Sequence, residues 1–491
     1  MKLNELLKSI PMITLPNENP TVVGITNNDK EVKKGFVFVC IKGYTFNGHE
    51  FASQAVENGA VAMIAQDPVD VDVPVIYVKD TKRILPILAN QFYDKPTEKL
   101  QLIGITGTNG KTTTSHIIDQ IFQQAEKATG LIGTMYMKIK DQVIETKNTT
   151  PDSVVLQSLF HQMVEGEVDT AIMEVSSHAL VQGRVLGCDY DVAVFTNLSQ
   201  DHLDYHHTME EYLHAKGLLF SRLGNTFNQK QPKFAILNAD DPSTDYLMGE
   251  TAVHLCTYGI DTEADFMAKN IRLDGSGTRF TLITPAEEVE VTLQLIGKFN
   301  VYNVLAAVAA AYVSKIHIDV IIQAIEGLKG VAGRFEPVNA EQDFSVIVDY
   351  AHTPDSLENV LLTIKQFAEK RIFAIVGCGG DRDRTKRPLM AQIACKHATN
   401  PIFTSDNPRS EEPEQILKDM TDGVKNEAYT VITDRANAIE QAIFEAEKGD
   451  VVLIAGKGHE TYQIIKGQVL DFDDRKVAYQ AIMKKKIEDG E

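Results

Sequence analysis

Residues 104–113 read Gly-Ile-Thr-Gly-Thr-Asn-Gly-Lys-Thr-Thr and come at the end of an apolar run that starts at Leu100. The sequence thus predicts a strand, then a glycine-rich turn, then a helix that begins with Lys-Thr. Many proteins bind the phosphates of a nucleoside triphosphate with these three elements in this order. Glycines at 107 and 110 let backbone N–H groups approach phosphates, and the N-terminus of the predicted helix 112–125 attracts negative charge. We therefore predict ATP binding by the loop residues, which are Gly107, Thr108, Asn109, Gly110, Lys111, Thr112 and Thr113.

Within this loop, Lys111 is expected to contact the β and γ phosphate oxygens, and the Thr112 hydroxyl is expected to bind Mg²⁺. The usual P-loop pattern has a glycine five positions before Gly110, where this sequence has Ile105. We interpret the loop as a shortened variant in which Gly107 makes the turn. A glycine turn that binds no ligand is the alternative.

The composition is that of an ordinary globular chain, with 43% hydrophobic and 24% charged residues among 491. This length suits about two to four domains. The formal net charge of −20 argues against nonspecific binding of nucleic acid or membranes. The five cysteines are scattered without CxxC pairs, as is typical of reduced thiols. The N-terminus is too charged for a signal peptide, and no apolar stretch reaches the roughly 20 residues of a membrane helix, so we expect a cytoplasmic protein.

Three blocks of alternating strand and helix patterns indicate an α/β protein with three domains. Residues 1–97 form the first block, and residues 98–332 form a central block whose buried strand runs and helices alternate as in a doubly wound parallel sheet. Residues 333–491 form a second, Rossmann-like unit after a glycine-rich hinge at 330–334. The central strands are predicted at 100–105, 170–175, 192–197 and 234–237, and a long helix is predicted at 303–313.

Polar side chains follow the predicted strands of the central block. Glu174 comes directly after one buried run, and His202 lies in the polar segment after the next. Ligands of open α/β sheets bind at the carboxyl ends of strands, and a carboxylate with a neutral imidazole suits Mg²⁺ beside phosphates. We predict that Glu174 and His202 hold a metal ion; a helix-capping glutamate and a loop histidine are the alternative. By its own context, Lys216 is expected to be a solvated helix lysine.

Four strand ends of the third block also carry polar clusters, at 349–352, 377–388, 404–409 and 456–460. Arginines in the second and third clusters suit bidentate binding of carboxylate or phosphate, although a solvated surface cluster is the alternative. Four polar strand ends at one edge would form a cleft opposite the ATP-binding loop. This arrangement predicts catalysis between closing domains.

Taken together, these motifs resemble the Mur ligase superfamily over nearly the whole chain. The motifs are Gly-Thr-Asn-Gly-Lys-Thr (107–112), Glu-Val-Ser-Ser-His (174–178), Asn-Leu-Ser-Gln-Asp-His-Leu-Asp (197–204), Gly-Arg-Phe-Glu (333–336) and Asp-Tyr-Ala-His (349–352). Residues 148–151, 380–383, 406–409 and 456–460 are similar to the branch that adds the third residue of the peptidoglycan stem peptide. The resemblance implies that the D-Glu γ-carboxylate and ATP form an acyl phosphate, from which an incoming amine displaces phosphate.

The resemblance also implies roles for single positions. Thr112 would hold a first Mg²⁺, and a second would be held by Glu174, His202 and Lys216, the last as a carbamate (N6-carboxylysine); with Lys111 these three would be catalytic. Further ATP contacts would be Asn303, Arg334, Asp349 and His352. Contacts to UDP-MurNAc-L-Ala-D-Glu would be His49, Asn148, Thr149, Thr150, Ser176, Gln182 and Arg184. Contacts to the incoming diamino acid would be Arg382, Asp406, Asn407, Pro408, Arg409, Gly456 and Glu460.

One motif departs from the superfamily pattern. The uridine motif of the implied UDP-binding first domain usually reads Asp-Ser-Arg, whereas this chain has Asn28-Asp29-Lys30; the nearby stretch 43–49 is kept. Lysine-adding relatives generally lack arginine at position 409, so meso-2,6-diaminopimelate is the expected amine and L-lysine is the alternative. We also expect the protein to be a monomer. A folylpolyglutamate synthetase would lack the first domain. A P-loop kinase or regulatory ATPase would leave the arginine loops unexplained.

Overall fold

The computed structural model describes residues 1–43, 46–146, 148–224, 232–274 and 277–489. These residues form three α/β units, each built on its own parallel or largely parallel sheet. Among the helices described, none combines the length and apolar character that crossing a bilayer demands. The three-domain α/β class predicted above is confirmed, and we keep the limits 1–97, 98–332 and 333–491 as a proposal.

The first unit is a four-stranded parallel sheet whose strands pair in sequence order. Its strands are β1 (Gly24–Thr26), β2 (Phe36–Val39), β3 (Ala60–Ala65) and β4 (Val75–Tyr77). Its helices are α1 (Leu3–Leu7), α2 (Ala52–Glu57) and α3 (Thr81–Phe92). Leucines of α1 and α3 cover one face of the sheet, while α2 covers the other, so the apolar strands are buried on both sides.

The central unit is an eleven-stranded sheet in which β5, the strand before the ATP-binding loop, lies between β9 and β10. The strands are β5 (Gln101–Thr106), β6 (Thr129–Ile132), β7 (Met137–Ile139), β8 (Gln142–Ile144), β9 (Thr170–Glu174), β10 (Val192–Phe195), β11 (Phe234–Asn238), β12 (His254–Gly259), β13 (Phe266–Asp274), β14 (Gly277–Ile283) and β15 (Glu288–Leu293). Strands β6, β9, β5, β10, β11, β12 and β13 run parallel, which confirms the predicted parallel sheet. Four of them, β5, β9, β10 and β11, correspond to the predicted strands. Antiparallel strands extend both edges and were not predicted. The prediction used continuous apolar runs, which half-exposed antiparallel strands do not have.

Helices cover both faces of this sheet. They are α4 (Lys111–Gln124), α5 (Ser153–Glu165), α6 (Ser177–Val181), α7 (Leu203–His206), α8 (Met209–Ser221), α9 (Thr244–Glu250), α10 (Lys298–Val313) and α11 (Ile318–Glu326). The alanine-rich helix α10 packs directly on α4 in the main core. It begins at Lys298 rather than at 303, and its first turn already carries the buried residue Val301.

The C-terminal unit is a six-stranded sheet with a separate two-stranded hairpin. Its strands are β16 (Glu336–Pro337), β17 (Ser345–Asp349), β18 (Ile372–Cys378), β19 (Asn400–Ser405), β20 (Thr430–Val431), β21 (Val451–Ala455), β22 (Tyr462–Ile465) and β23 (Gln468–Asp471). Its helices are α12 (Pro354–Ile364), α13 (Lys386–His397), α14 (Pro413–Thr421), α15 (Arg435–Glu445) and α16 (Asp474–Asp489). Strands β17, β21, β18, β19 and β20 run parallel, so their polar carboxyl ends share one edge, as predicted.

Candidate active site

A cavity of about 280 Å³ lies where the carboxyl ends of the central and C-terminal strands meet. Because parallel strands end at one edge, residues far apart in sequence are brought together there. The predicted site residues that line it are Gly107, Thr108, Asn109, Gly110, Lys111, Thr112, Thr149, Glu174, Ser176, His202, Lys216, Arg334, His352, Arg382, Asp406, Asn407, Arg409, Gly456 and Glu460. One space therefore joins the ATP-binding loop to the arginine loops of the third unit.

The ATP-binding loop requires glycine at two positions. Gly107 and Gly110 have φ of 145° and 84°, values that favour glycine. A Cβ at Gly107 would lie 1.8 Å from Thr196 Oγ1, and one at Gly110 would lie 2.3 Å from Asn303 Oδ1. The loop is held from β10, since Asn197 accepts the N–H groups of residues 108 and 109 at 2.8 and 2.9 Å. The backbone is thus fixed before any ligand binds.

Lys111 lies at the start of α4 and folds back over its own loop. Its ammonium donates to the carbonyl oxygens of Gly107 and Thr108 at 2.9 and 2.8 Å. Burial lowers its pKa, and the nearby Glu174 partly offsets this effect. A lysine ammonium over the loop, beside the N-terminus of a helix, suits the binding of phosphate oxygens.

A second cavity, of about 300 Å³, opens on the other side of the loop. Asn109, Gly110, Arg334 and Tyr350 line both cavities, so one nucleotide could extend from one into the other. Of the predicted ATP contacts outside the loop, Asn303 and Asp349 line this second cavity, together with Asp240 and Tyr302, which sequence reasoning missed. His352 differs, because it lines only the first cavity.

Asp349 connects the hinge to this second cavity. Its carboxylate accepts the N–H of Phe335 at 2.7 Å, just after the hinge. Burial raises its pKa to about 6, although the neighbouring Arg334 opposes the rise. Arg334 itself donates to Thr112 Oγ1 at 3.1 Å and stacks over the ring of Tyr350. The hinge therefore brings an arginine of the third unit to the ATP-binding loop.

The Glu174 carboxylate is fully buried at the end of β9. It accepts hydrogen bonds from Thr112 Oγ1 at 3.0 and 3.1 Å, and from the backbone N–H and Oγ1 of Thr134 at 2.9 Å each. Glu174 and Thr112, which were predicted as metal ligands, are thus in direct contact. The Thr149 hydroxyl extends the cluster, since it lies 3.1 Å from that of Thr134.

Lys216 is not the solvated lysine that its own sequence context suggested. It is 1% exposed, and its amine donates to Gly107 O at 2.7 Å above the ring of Tyr212. Burial, together with the positive charge of Lys111, holds its pKa well below the usual range. A lowered pKa favours the neutral, nucleophilic form of the amine, which is the form that carbamylation by CO₂ requires.

His202 stands beside Lys216 in an unusual backbone conformation, with φ of 55°. Burial lowers its pKa to about 3, so the ring is neutral and offers a nitrogen lone pair. Its neighbour Asp201 was not predicted. Asp201 is buried and lies within 4 Å of His202, His352 and Lys386, the last two from the C-terminal unit. Its place in the motif 197–204 was the available signal.

A third cavity, of about 430 Å³, lies between the first and central units. Gln182 and Arg184, for which contacts to the UDP substrate were predicted, line it together with the basic residues Lys82, Arg83 and Arg222. Arg184 donates to Thr150 O at 2.8 Å, and Thr150 in turn donates to Glu174 O at 2.9 Å. The lining thus connects by hydrogen bonds to the first cavity, where Ser176 lies.

Three predicted contacts to this substrate, Thr150, His49 and Asn148, do not line these cavities. Thr150 is buried and takes part in the hydrogen bonds just described. Both ring nitrogens of His49 form hydrogen bonds within the first unit. Nδ1 is bonded to Asn47, and Nε2 accepts the N–H groups of residues 66 and 67, so His49 has a structural role there. Asn148 is exposed and lines none of the cavities described here. In the motif Asn28-Asp29-Lys30, which differs from the usual uridine motif, Asn28 caps a short helix. The preceding residue, Asn27, lines the third cavity. Tyr44 and Thr45 of the kept stretch lie outside the described residues.

The predicted diamino-acid residues gather at the far end of the first cavity. Arg409, with φ of 53°, donates to Gly380 O at 2.7 Å, and Arg382 lines the same wall. Asn407 donates to Glu460 Oε2 at 2.8 Å, and Asp406 lies beside them. Pro408 contributes its carbonyl, which approaches Gly380 closely, and does not line the cavity. This end presents both arginines and carboxylates, as a zwitterionic amino acid requires.

Family models and known proteins match this chain over most of its length. The Mur ligase family, catalytic domain, matches residues 21–93; the Mur ligase middle domain matches 105–311; the Mur ligase, glutamate ligase domain, matches 333–458. The chain is 59% identical to the UDP-N-acetylmuramoyl-L-alanyl-D-glutamate--2,6-diaminopimelate ligase of Bacillus cereus, over 98% of each chain. It is 57% identical to the ligase of the same name from Listeria monocytogenes, over 99% of each.

Solved structures lead to the same family. A structure of a UDP-N-acetylmuramoyl-L-alanyl-D-glutamate--2,6-diaminopimelate ligase superposes on this chain with a TM-score of 0.72 and 33% identity, over 99% of each chain. The predicted motifs, the three-unit fold and the shared cavity all lie within the regions that these comparisons cover. The chain belongs to the Mur ligase family.

Proposed function

We propose that this chain is an ATP-dependent ligase that joins meso-2,6-diaminopimelate to the D-Glu γ-carboxylate of UDP-MurNAc-L-Ala-D-Glu, in the synthesis of peptidoglycan. The observation that carries the proposal is the first cavity, where the ATP-binding loop faces a wall of arginines and carboxylates. The names of the full-length relatives support the same substrates. One chain forms all three cavities without a second subunit, which supports the proposal of a monomer. The use of ATP supports the proposal of a cytoplasmic location.

The first step forms the acyl phosphate. A γ-carboxylate oxygen of the substrate attacks the γ phosphorus of ATP, the bond from that phosphorus to the β-γ bridging oxygen breaks, and ADP leaves. Negative charge on the transferred group must be stabilised throughout. Lys111 and Arg334 supply fixed positive charge, and the N-terminus of α4 supplies backbone N–H groups that need no reorganisation.

The second step forms the amide. The amine nitrogen attacks the acyl carbon, the bond from that carbon to the phosphate oxygen breaks, and inorganic phosphate leaves with the proton balance completed by loss of the amine proton. The diamino acid must therefore lie within reach of the loop. Arg382, Arg409 and Glu460 would hold it at the opposite end of the same cavity. Held there, the amine would attack as in an intramolecular reaction.

Mg²⁺ is part of this proposal. The Glu174 carboxylate and Thr112 hydroxyl are oxygen donors, and the neutral His202 ring and a carbamate on Lys216 would complete the set. Among the residues described, no three His, Cys, Asp or Glu side chains form a ready-made cage. This fits Mg²⁺, which uses few protein ligands beside phosphates. Bound there, Mg²⁺ would neutralise charge on phosphoryl oxygens.

Ligation measured with a panel of amines tests the proposal. With ATP and UDP-MurNAc-L-Ala-D-Glu, meso-diaminopimelate should be preferred over L-lysine by about 10²–10³ in kcat/KM, because lysine leaves a desolvated arginine without its carboxylate. Arg409→Ala should lose that preference selectively. Equal use of lysine by the wild type would contradict the choice of amine. Rapid ATP hydrolysis without either other substrate would instead favour an ATPase.

A further inference from the structure

Lys457 is a fully buried lysine that the reaction derived above does not use. It follows Gly456 directly at the end of β21, yet it does not line the first cavity. A buried ammonium is costly unless charged or polar partners surround it. Its partners therefore indicate what it does.

The ammonium of Lys457 is held by two residues of the diamino-acid end. It donates to Asn407 Oδ1 at 3.2 Å and to Glu460 Oε2 at 3.0 Å. The Tyr462 ring lies 5.5 Å away on the hairpin β22–β23. Asn407 Oδ1 also accepts the N–H of Ile464 at 2.9 Å, so the orientation of its amide is fixed from two sides.

These contacts give the two carboxylate oxygens of Glu460 different partners. Oε2 accepts from both Lys457 and Asn407 Nδ2. Within the part of the chain that the structure describes, Oε1 receives one hydrogen bond, from the Tyr350 hydroxyl at 3.4 Å. The carboxylate is 13% exposed and lines the cavity, so Oε1 is the oxygen that remains for a ligand.

The charge of Lys457 also balances its surroundings. Burial alone would raise the pKa of Asp406, but Lys457 and Arg435 reverse that effect and hold the pKa below its usual value. Without Lys457, Asp406 and Glu460 would share this end of the cavity with less positive charge behind them. Two buried carboxylates repel each other and favour protonation of one.

We propose that Lys457 is a positioning residue for the amine substrate, which orients Glu460 and Asn407 from behind so that Glu460 Oε1 accepts the distal ammonium of the diamino acid. The inference rests on the proposed function, because it assumes a substrate with a second ammonium group. Lys457 acts through Glu460 and touches no substrate itself. Its loss should therefore affect one substrate and one half-reaction.

Lys457→Met, which keeps the length of the side chain without its charge, tests this. KM for diaminopimelate should rise about tenfold or more, since hydrogen bonds to a charged group are lost. KM for ATP and for the UDP substrate should stay within about twofold. Formation of the acyl phosphate, trapped as a hydroxamate with hydroxylamine, needs no diamino acid and should persist.

A double-mutant cycle separates this role from simple structural support. If Lys457 acts through Glu460, then Lys457→Met in a Glu460→Gln background should cost much less than in the wild type. Lys466→Met is the matched control, because this exposed lysine of the same hairpin forms an ion pair with the exposed Glu412. If Lys457→Met loses hydroxamate formation, Lys457→Gln takes its place. The same KM values, hydroxamate formation and double-mutant cycle are then measured for Lys457→Gln.

Three outcomes would overturn the inference: an unchanged KM for diaminopimelate, an equal rise in all three KM values, or strictly additive effects in the cycle. Failure of the proposed function has a different signature. In that case the wild type itself would not ligate diaminopimelate.

Discussion

At the scale of single residues, Lys216 carries the sharpest expectation. Lys216→Ala should reduce turnover by orders of magnitude, with partial rescue by short carboxylic acids that replace a carbamate beside Gly107. The reason is that burial lowers the pKa of its amine, and that Lys216 lines one cavity with Glu174 and His202, where a carbamate could join them as a Mg²⁺ ligand. Turnover with and without added formate measures this. Near wild-type activity in Lys216→Ala would contradict it.

Asp349 predicts a pH dependence of stability. Burial raises its pKa from 3.8 in the unfolded chain to about 6 in the folded one. As the pH rises from about 4 to 6, Asp349 ionises in the unfolded state before it ionises in the folded state. The free energy of unfolding of the wild type therefore falls relative to that of Asp349→Asn, by about 3 kcal/mol in all. Above about pH 6 the difference levels off. Unfolding midpoints of both proteins from pH 4.5 to 7.5 measure it. A constant difference across that range would show that Asp349 does not titrate as described.

At the scale of elements, the loop 406–409 depends on two supports. The hairpin β22–β23 exchanges backbone hydrogen bonds with Arg409, whose N–H donates to Ile464 O at 3.0 Å and whose carbonyl accepts the N–H of residue 466 at 2.7 Å. On the other side the loop lies against Gly380, where a Cβ would be 1.9 Å from Pro408 O. The positive φ of Arg409 is maintained by this enclosure rather than by its own preference.

Gly380→Ala should therefore displace the loop and raise KM for diaminopimelate at least tenfold, while hydroxamate formation continues. Backbone atoms on the other side of the contact leave no flexible group that could move away. Gly249→Ala in α9 is the control, since a Cβ there meets open space and should stabilise the helix by roughly 0.5–1 kcal/mol. Unchanged selection of the amine in Gly380→Ala would show that the loop tolerates the shift.

At the scale of the whole molecule, the central and C-terminal units are joined across the first cavity by a buried ion pair. Lys386 and Asp201 are each 7% exposed and lie 3.3 Å apart. Asn109 adds a hydrogen bond to Asp355 of the C-terminal unit at 2.8 Å. Breaking one partner of a buried pair costs about 3–5 kcal/mol, far more than a surface pair contributes.

Lys386→Met should weaken closure of the two units and so lower kcat/KM for all three substrates together, with a larger radius of gyration in X-ray scattering. This pattern differs from the single-substrate effect expected at Lys457. Lys425→Met, which breaks an exposed pair with Asp422, should change neither quantity. A compact Lys386→Met enzyme with normal kinetics would remove the pair from closure.

Local pattern alone predicted the parallel framework. The continuous apolar runs of β5, β9 and β10 could only be buried on both faces, and each was followed by a polar cluster at the edge where ligands bind. The antiparallel strands β7, β8, β14 and β15 were missed because alternating, half-exposed segments resemble loops in composition. Their presence at the sheet edges is decided by pairing with strands that are already in place.

The sequence by itself determined the ATP-binding loop and the polar strand ends, because glycine at 107 and 110 and lysine at 111 carry their conformational and chemical roles locally. Only the tertiary structure decided that Lys216 is buried, that His49 is used within its own unit, and that Asp201 meets Lys386. The physical reason is that burial and charge pairing depend on segments far apart in the chain, such as Asp201 and Lys386 at a separation of 185 residues, which no local pattern records.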